Sequence, residues 1–274
     1  MTFLNPHLYK RLARPFFFLL DPEKAQKFTH IALKQSWAWK MLSPAFEVKD
    51  FRLKTKLCGI PLDSPVGIAA GFDKNCEMLP SLSALGFGYL VGGTITVNPR
   101  TGNQRPRLVR LTDKESLINS LGFPNKGLDQ VEKDLRSTVN IRGSRPLILS
   151  ISGTSVTDML ICHRRLEPLA NAIEINISSP NTAGLRTFHD PSNLSHLLAT
   201  LSEKRMKPLI VKLPPYPPVE KSDQVETADK VLNLVQICMR EGVEAVTAAN
   251  SRPVSEPTLA VGSGGLSGKL VFDS

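Results

Sequence analysis

The chain lacks most of the signatures that would assign a chemistry directly. Its four cysteines, Cys58, Cys76, Cys162 and Cys238, are widely spaced, with neither a CxxC pair nor nearby histidines. That argues against a disulfide framework and fits reduced thiols that mostly fill a core in a cytosol-like compartment. His7, His30, His163, His189 and His196 are scattered, so no metal cluster is expected, and His189 reads as a surface-loop residue rather than a ligand or base. GxSxG, P-loop and kinase signatures are absent. No signal peptide is evident and no apolar run is long enough to span a bilayer, which reads as a soluble or peripheral chain. The formal charge is +9, yet no block of five or six like charges occurs. Such a balance is compatible with acidic ligands or an anionic membrane surface and does not call for nucleic acid.

With 274 residues and 41% hydrophobic content, one large domain or two small ones can be built. Residues 1 to about 45 differ from the rest. A basic stretch, His7 to Arg14, leads into Pro15-Phe-Phe-Phe-Leu-Leu20, and Asp21-Pro-Glu23 then looks like a helix cap with proline at the first helical position. Ala25, Phe28, Ile31 and Ala32 give the following helix, about 22–35, an apolar stripe. Two short helices of this composition either lie in a membrane interface or pack as a hairpin on the main domain.

After Pro61, short buried runs alternate with helical stretches. The runs are 66–70, 89–93, 147–151, 172–176, 209–213 and 245–249, with helices expected near 77–85, 124–137, 157–170, 191–206 and 223–241. The alternation argues for a mostly parallel sheet covered by helices, either open or closed into a barrel. Both layouts place ligands at the strand C-terminal ends, where the polar residues of this chain gather. A long polar stretch over 98–125 interrupts the rhythm and is expected to line the site. Its Arg100, Arg105, Arg107 and Arg110 read equally as phosphate contacts or as a hairpin with solvated or salt-bridged arginines.

Asn176-Ile-Ser-Ser-Pro-Asn-Thr182 packs five polar groups into seven residues directly after an apolar run. Burying such a segment is costly unless something binds it, although a capped turn before a helix is the plainer alternative. Asn119, Asn176, Asn181 and Asn250 offer both donors and acceptors, which suits a cyclic imide or a flavin edge. Lys74 ends a glycine-containing turn, Gly71-Phe-Asp-Lys74. Lys212 lies within an apolar run and therefore needs a carboxylate or cofactor oxygen, unless it sits on an edge strand. Gly264-Gly-Leu-Ser-Gly268 reads as a flexible loop that admits close backbone approach.

Taken in order, Asp21-Pro-Glu23, Gly67-Ile-Ala-Ala-Gly-Phe-Asp-Lys74, Gly102-Asn-Gln-Arg-Pro-Arg107, Asn119-Ser-Leu-Gly-Phe123, Asn176 to Arg186 and Gly264 to Lys269 resemble the dihydroorotate dehydrogenases, specifically their membrane-associated, quinone-using class. The match covers nearly the whole chain. The resemblance implies an α/β TIM (β/α)8 barrel binding FMN, with an N-terminal helical extension, residues 1–45, that receives ubiquinone or menaquinone, and a barrel domain over 46–274. It implies oxidation of dihydroorotate to orotate in pyrimidine synthesis by a peripheral, monomeric protein of the bacterial inner membrane, cytoplasmic side, or of the mitochondrial inner membrane; Met1 to Pro6 lacks a basic, serine-rich leader, which favours the former. Ser179 takes the place of the catalytic base. Lys74, Asn119, Asn176, Asn181, Asn250 and Ser251 take substrate-binding places, and Ala70, Gly71, Thr94, Ser150, Asn176, Lys212, Ser251 and Gly268 take flavin-binding places. Lys212 is implied near flavin N1, where its charge favours reduced flavin.

Two departures carry expectations. Ser150-Ile-Ser-Gly153 stands where relatives usually have an Asn, a hydrophobic residue and Gly-Lys, so weaker flavin binding is expected. The chain stops at Ser274, where relatives continue with a helix and two strands that hold the FMN phosphate; about six barrel strands and poor FMN binding are expected. The alternative to an enzyme is a catalytically silent binding or membrane-surface protein.

Overall fold

The computed structural model describes residues 11, 14–138, 143, 145–178, 185–216 and 225–272, the side chains at 185, 186 and 225–227 excepted. Three helices open it: α1 (Arg14–Leu19), α2 (Pro22–Leu33) and α3 (Ser36–Phe46). The Asp21 carboxylate accepts from the Glu23 and Lys24 amides at 3.0 and 3.2 Å, so the expected cap starts α2. The sequence reading did not separate out α3, whose Pro44 stands in its last turn.

A hairpin of β1 (Thr55–Leu57) and β2 (Ile60–Leu62) precedes the main α/β unit. In chain order that unit contains α4 (Leu79–Ala84), β3 (Leu90–Ile95), β4 (Leu108–Leu111), β5 (Ser116–Asn119), α5 (Leu128–Thr138), β6 (Leu147–Ile151), α6 (Val156–Leu166), β7 (Ala172–Asn176), α7 (Pro191–Ser202), β8 (Leu209–Lys212), α8 (Val225–Arg240), β9 (Ala245–Thr247), β10 (Arg252–Ser255) and β11 (Ser263–Gly268). Strands β3, β6, β7, β8 and β9 form a five-stranded parallel sheet in that order. Strict sequential order with a helix between successive strands is the barrel-type winding, and among the described residues the sheet does not close on itself.

Alternation along each strand divides the two faces. Leu147, Leu149, Ile151, Ile173, Ile175, Leu209 and Val211 pack outward against helix residues such as Leu135, Met159, Leu197 and Leu234. The inner face begins with Val91, Ile148, Ala172 and Ile210, which form an apolar floor. Two or four residues further along the same strands, the same face carries Ser150, Asn176 and Lys212. The period of two thus switches the wall from apolar floor to polar mouth.

Three expectations are corrected. The run 66–70 is not a strand. Ile68 makes an isolated parallel bridge to Leu90, and Val66 is 62% exposed. The segment still runs parallel beside β3: the Ile68 and Gly71 amides donate to the Tyr89 and Gly93 carbonyls at 3.2 and 2.8 Å, and the Val91 amide donates to the Ile68 carbonyl at 3.0 Å, with Gly67 pressed against the Tyr89 ring. The stretch 264–268 is no flexible loop but most of β11, which pairs antiparallel with β5 and β10 in a four-stranded sheet β10-β11-β5-β4. Its glycines serve packing: a Cβ on Gly265 would meet Ser251 Oγ at 2.0 Å. His189 is half-buried, and its Nε2 lies 2.8 Å from the Ile177 carbonyl. That carbonyl needs a donor at the strand exit, which fixes the imidazole there.

The arginine stretch is the salt-bridged hairpin. Arg105 and Arg107 reach Glu23 at 2.9 and 3.2 Å, and Arg110 donates to the Leu20 carbonyl at 2.8 Å, which ties β4 to the N-terminal helices. Lys212 is not on an edge strand, since β8 lies between β7 and β9. Cys76, Cys162 and Cys238 are buried, and burial pushes the Cys162 thiol up to about 12 and that of Cys238 to about 11. Among the described residues no group of His, Cys, Asp and Glu could hold a metal, and no helix is long and apolar enough to cross a membrane.

Candidate active site

A cavity of about 320 Å³ opens at the C-terminal ends of the parallel strands and is covered by the β4–β5 sheet. Of the residues expected at a site, Ala70, Gly71, Lys74, Thr94, Asn119, Asn176, Lys212, Asn250 and Ser251 all line it. They come from six separate stretches of chain. Ser150, on the same inner face, is fully buried and reaches the cavity only through Thr94. Gly268 borders a neighbouring cavity with Arg110 and Ser116, while Ser267 borders both. Ser179 and Asn181 lie outside the described residues.

One hydrogen-bond chain joins these groups. Ser150 Oγ and Thr94 Oγ1 lie 3.0 Å apart, and Asn176 Nδ2 donates to Thr94 Oγ1 at 2.9 Å. Asn176 Oδ1 accepts from the Ser178 amide and hydroxyl at 3.2 and 2.8 Å. Asn250 Nδ2 donates to Ser178 Oγ at 2.8 Å, and Asn250 Oδ1 accepts from the Ser251 amide at 2.7 Å. Asn176, 2% exposed, is the hub. Buried polar groups satisfied in series hold one another in a single orientation, which is what a planar ligand requires. Ser178 carries the link between two expected residues and escaped the sequence reading, although its place in a five-polar segment was a signal. Leu121, Phe123 and Ala249 also line the cavity and gave no signal, being apolar.

Lys74 donates to the Gly71 carbonyl at 2.5 Å. Burial, reinforced by the Arg107 charge and opposed by Asp73, lowers its ammonium to about 8. Asp73, buried beside it, accepts from the Glu77 and Met78 amides at 2.9 and 2.7 Å. Desolvation nonetheless raises this carboxyl.

Lys74 also borders two further cavities. An apolar one of about 620 Å³ lies beneath the N-terminal helices, walled by Phe17, Phe18, Phe28, Leu33, Trp39 and Arg110 among others. A polar one of about 610 Å³ opens beside α2. The arrangement can hold a flat polar ring at the strand mouth, with a cation at each side, and a second, apolar molecule one wall away.

The comparisons agree with this geometry. The family model described as dihydroorotate dehydrogenase matches residues 52–274. "Dihydroorotate dehydrogenase (quinone)" of Stenotrophomonas maltophilia strain K279a is 35% identical over 279 residues, spanning 96% of this chain and 77% of that protein. Its namesake in Neisseria meningitidis serogroup B is 36% identical over 280 residues, spanning 96% and 80%. Among solved structures, ligand-free DHODH from Eimeria tenella superposes with a TM-score of 0.74 at 27% identity, covering 90% of this chain and 75% of that one. A strand-mouth cavity walled by amides and lysines, on a barrel-type winding, with matches of this length, makes the chain a member of the dihydroorotate dehydrogenase family.

Proposed function

We propose that the chain oxidises dihydroorotate to orotate in pyrimidine biosynthesis, with FMN as the hydride acceptor and a quinone as the final electron acceptor. The observation that carries this reading is the Thr94–Asn176–Ser178–Asn250–Ser251 chain on a cavity flanked by Lys74 and Lys212. The donor set fits a flavin ring. Lys212 is 8% exposed on an inner wall, and a buried ammonium there requires an anionic or carbonyl oxygen opposite it. The bound flavin supplies a site that takes hydride from the substrate and yields it to the quinone.

The residues of the chain orient and move protons. Asn119, Asn176, Asn181 and Asn250 hold the pyrimidine ring, and Lys74 faces its carboxylate. Ser179 removes the C5 proton; a serine hydroxyl is a poor base at its ordinary pKa, so a closed, dry pocket and a neighbouring hydroxyl or water assist it. Ala70, Gly71, Thr94, Ser150, Lys212, Ser251 and Gly268 serve the flavin side.

Residues 1–45 form the quinone-receiving, membrane-facing extension and 46–274 the barrel domain. Phe16, Leu19, Ile31, Trp37 and Met41 are exposed on the three N-terminal helices beside Lys27, Lys34 and Lys40, which supports peripheral membrane contact; the reading takes the protein as a monomer at the cytoplasmic face of a bacterial inner membrane. An inactive binding protein is the less favoured reading, since the relatives at this identity carry an enzyme's name.

Ser179→Ala tests the assignment of the base. Flavin reduction by dihydroorotate at neutral pH is expected to slow by roughly 10²–10⁴-fold with FMN affinity unchanged. Reduction at the parent rate would remove Ser179 from the reaction.

A further inference from the structure

Three cavities meet at two side chains. Lys74 and Leu121 line the strand-mouth cavity, the apolar cavity under the N-terminal helices and the polar cavity beside α2. The wall between the apolar and polar cavities is made by Gln26, Lys74 and Leu121, of which only Lys74 can exchange a proton. The other ionisable group on the apolar cavity among the described residues is Arg110, and a guanidinium does not give up its proton in a protein.

A quinone reduced by two electrons ends as a hydroquinone with two added protons. One arrives with the hydride, and the second must come from a protein group or from water. The apolar cavity, walled largely by phenylalanine, leucine and tryptophan side chains, offers water few of the polar partners it needs to stay ordered. The polar cavity offers many.

We infer that the polar cavity beside α2 is the proton entrance for quinone reduction, with Lys74 donating to the quinone oxygen and His30 exchanging protons between the cavity's water and bulk solvent. The inference rests on the quinone reading above. In the step, the quinone carbon–oxygen π electrons and the hydride pair leave one oxygen carrying negative charge. That oxygen takes a proton from the Lys74 ammonium, and the neutral amine recovers one from water in the polar cavity. The hydride from the reduced flavin brings both electrons and one hydrogen, and solvent supplies the single further proton through Lys74, so the turnover balances.

The charges around the cavity suit this traffic because its carboxylates are already engaged. On α2, Glu23 is held by Arg105 and Arg107, and beyond the Lys74 turn Glu77 is held by Lys34 and Lys126. Asp73 accepts from the amides of its own turn. Asp21 caps α2, and Lys24 and Lys27 add positive charge along the same helix. His30 packs on Phe72 with ring centroids 6.1 Å apart, and its Nε2 is buried with no protein partner. Burial and the Lys74 and Lys34 charges lower its pKa, against a smaller opposing pull from Glu77. Lys74 is lowered to about 8, where an ammonium donates readily near neutral pH.

Two measurements decide the matter. In stopped-flow half-reactions of the FMN-loaded protein, His30→Phe and His30→Gln are expected to slow reoxidation by a short-chain ubiquinone about tenfold or more, with added imidazole restoring it. Flavin reduction by dihydroorotate should stay within about twofold of the parent. Unchanged reoxidation, or equal slowing of both half-reactions, overturns the proton route. If the parent flavin is reduced but never reoxidised by quinone, the quinone reading itself has failed. The second measurement needs no flavin. The His30 imidazole, followed by NMR in the apoprotein, should titrate below the ordinary histidine value and move up in Lys74→Met and in Lys74→Gln. A titration indifferent to Lys74 in both variants overturns the coupling across the cavity.

Discussion

At the residue scale, the site is a chain of small polar groups hung on one asparagine. Replacing Asn176 by leucine leaves Thr94 Oγ1 and Ser178 without their buried partner, at about 1–3 kcal/mol each. We expect destabilisation of that order in urea unfolding and loss of both FMN and orotate binding by titration. Ser150→Asn works in the opposite direction. The serine spends its hydroxyl on Thr94 on the inner face, and a longer amide at the same place reaches further toward the cavity. FMN should bind roughly tenfold tighter, about 1.4 kcal/mol, with unchanged affinity contradicting that role.

Lys74 gives a pH prediction whose sign follows from its depressed pKa. Between about 8 and the ordinary lysine value of 10.5 the unfolded chain holds a proton there that the folded protein has lost, so stability rises with pH across that window. Lys74→Met should remove that rise and gain roughly 3 kcal/mol at neutral pH. Equal pH profiles for parent and variant would show that the ammonium is not held in a desolvating place.

These residues were readable in advance to different degrees. Amides and lysines at the ends of apolar runs stand out in a sequence, because burying them unpaired is expensive. Nine of the expected residues do line one cavity. Ser178 and His30 were not singled out, since their importance comes from neighbours far away in the chain.

At the element scale, the N-terminal helices are tied to the β4–β5 hairpin by Glu23 with Arg105 and Arg107. The Glu23 and Arg107 side chains are 17% and 12% exposed, so removing one partner leaves a largely buried charge unpaired. Glu23→Gln should loosen α2 and slow quinone reoxidation while leaving flavin reduction by dihydroorotate intact, a split that half-reaction kinetics reads directly. Hairpin and cap were both legible, the first as one of two readings of the arginine cluster. The glycine-rich stretch 264–268 misled because glycine signals freedom in a sequence, whereas here it marks strands packed too closely for side chains. The run 66–70 misled only in degree: it hydrogen-bonds in parallel beside β3, but a single bridge, at Ile68, is regular.

At the scale of the whole molecule, the sequential parallel sheet places every polar strand end on one rim, and the N-terminal helices close over that rim to leave an apolar cavity beside the polar one. Electrons would pass between two molecules that never meet, one at the strand mouth and one beneath the helices. Lys74, on the wall of both, is where the two halves of the reaction touch.

The central claim is tested most directly by adding dihydroorotate anaerobically to the chain loaded with FMN, following the flavin absorption band, and then adding a ubiquinone analogue. The account predicts bleaching matched by an equal amount of orotate, and full recovery of the band on quinone addition. A flavin that stays oxidised in the presence of excess dihydroorotate would contradict it.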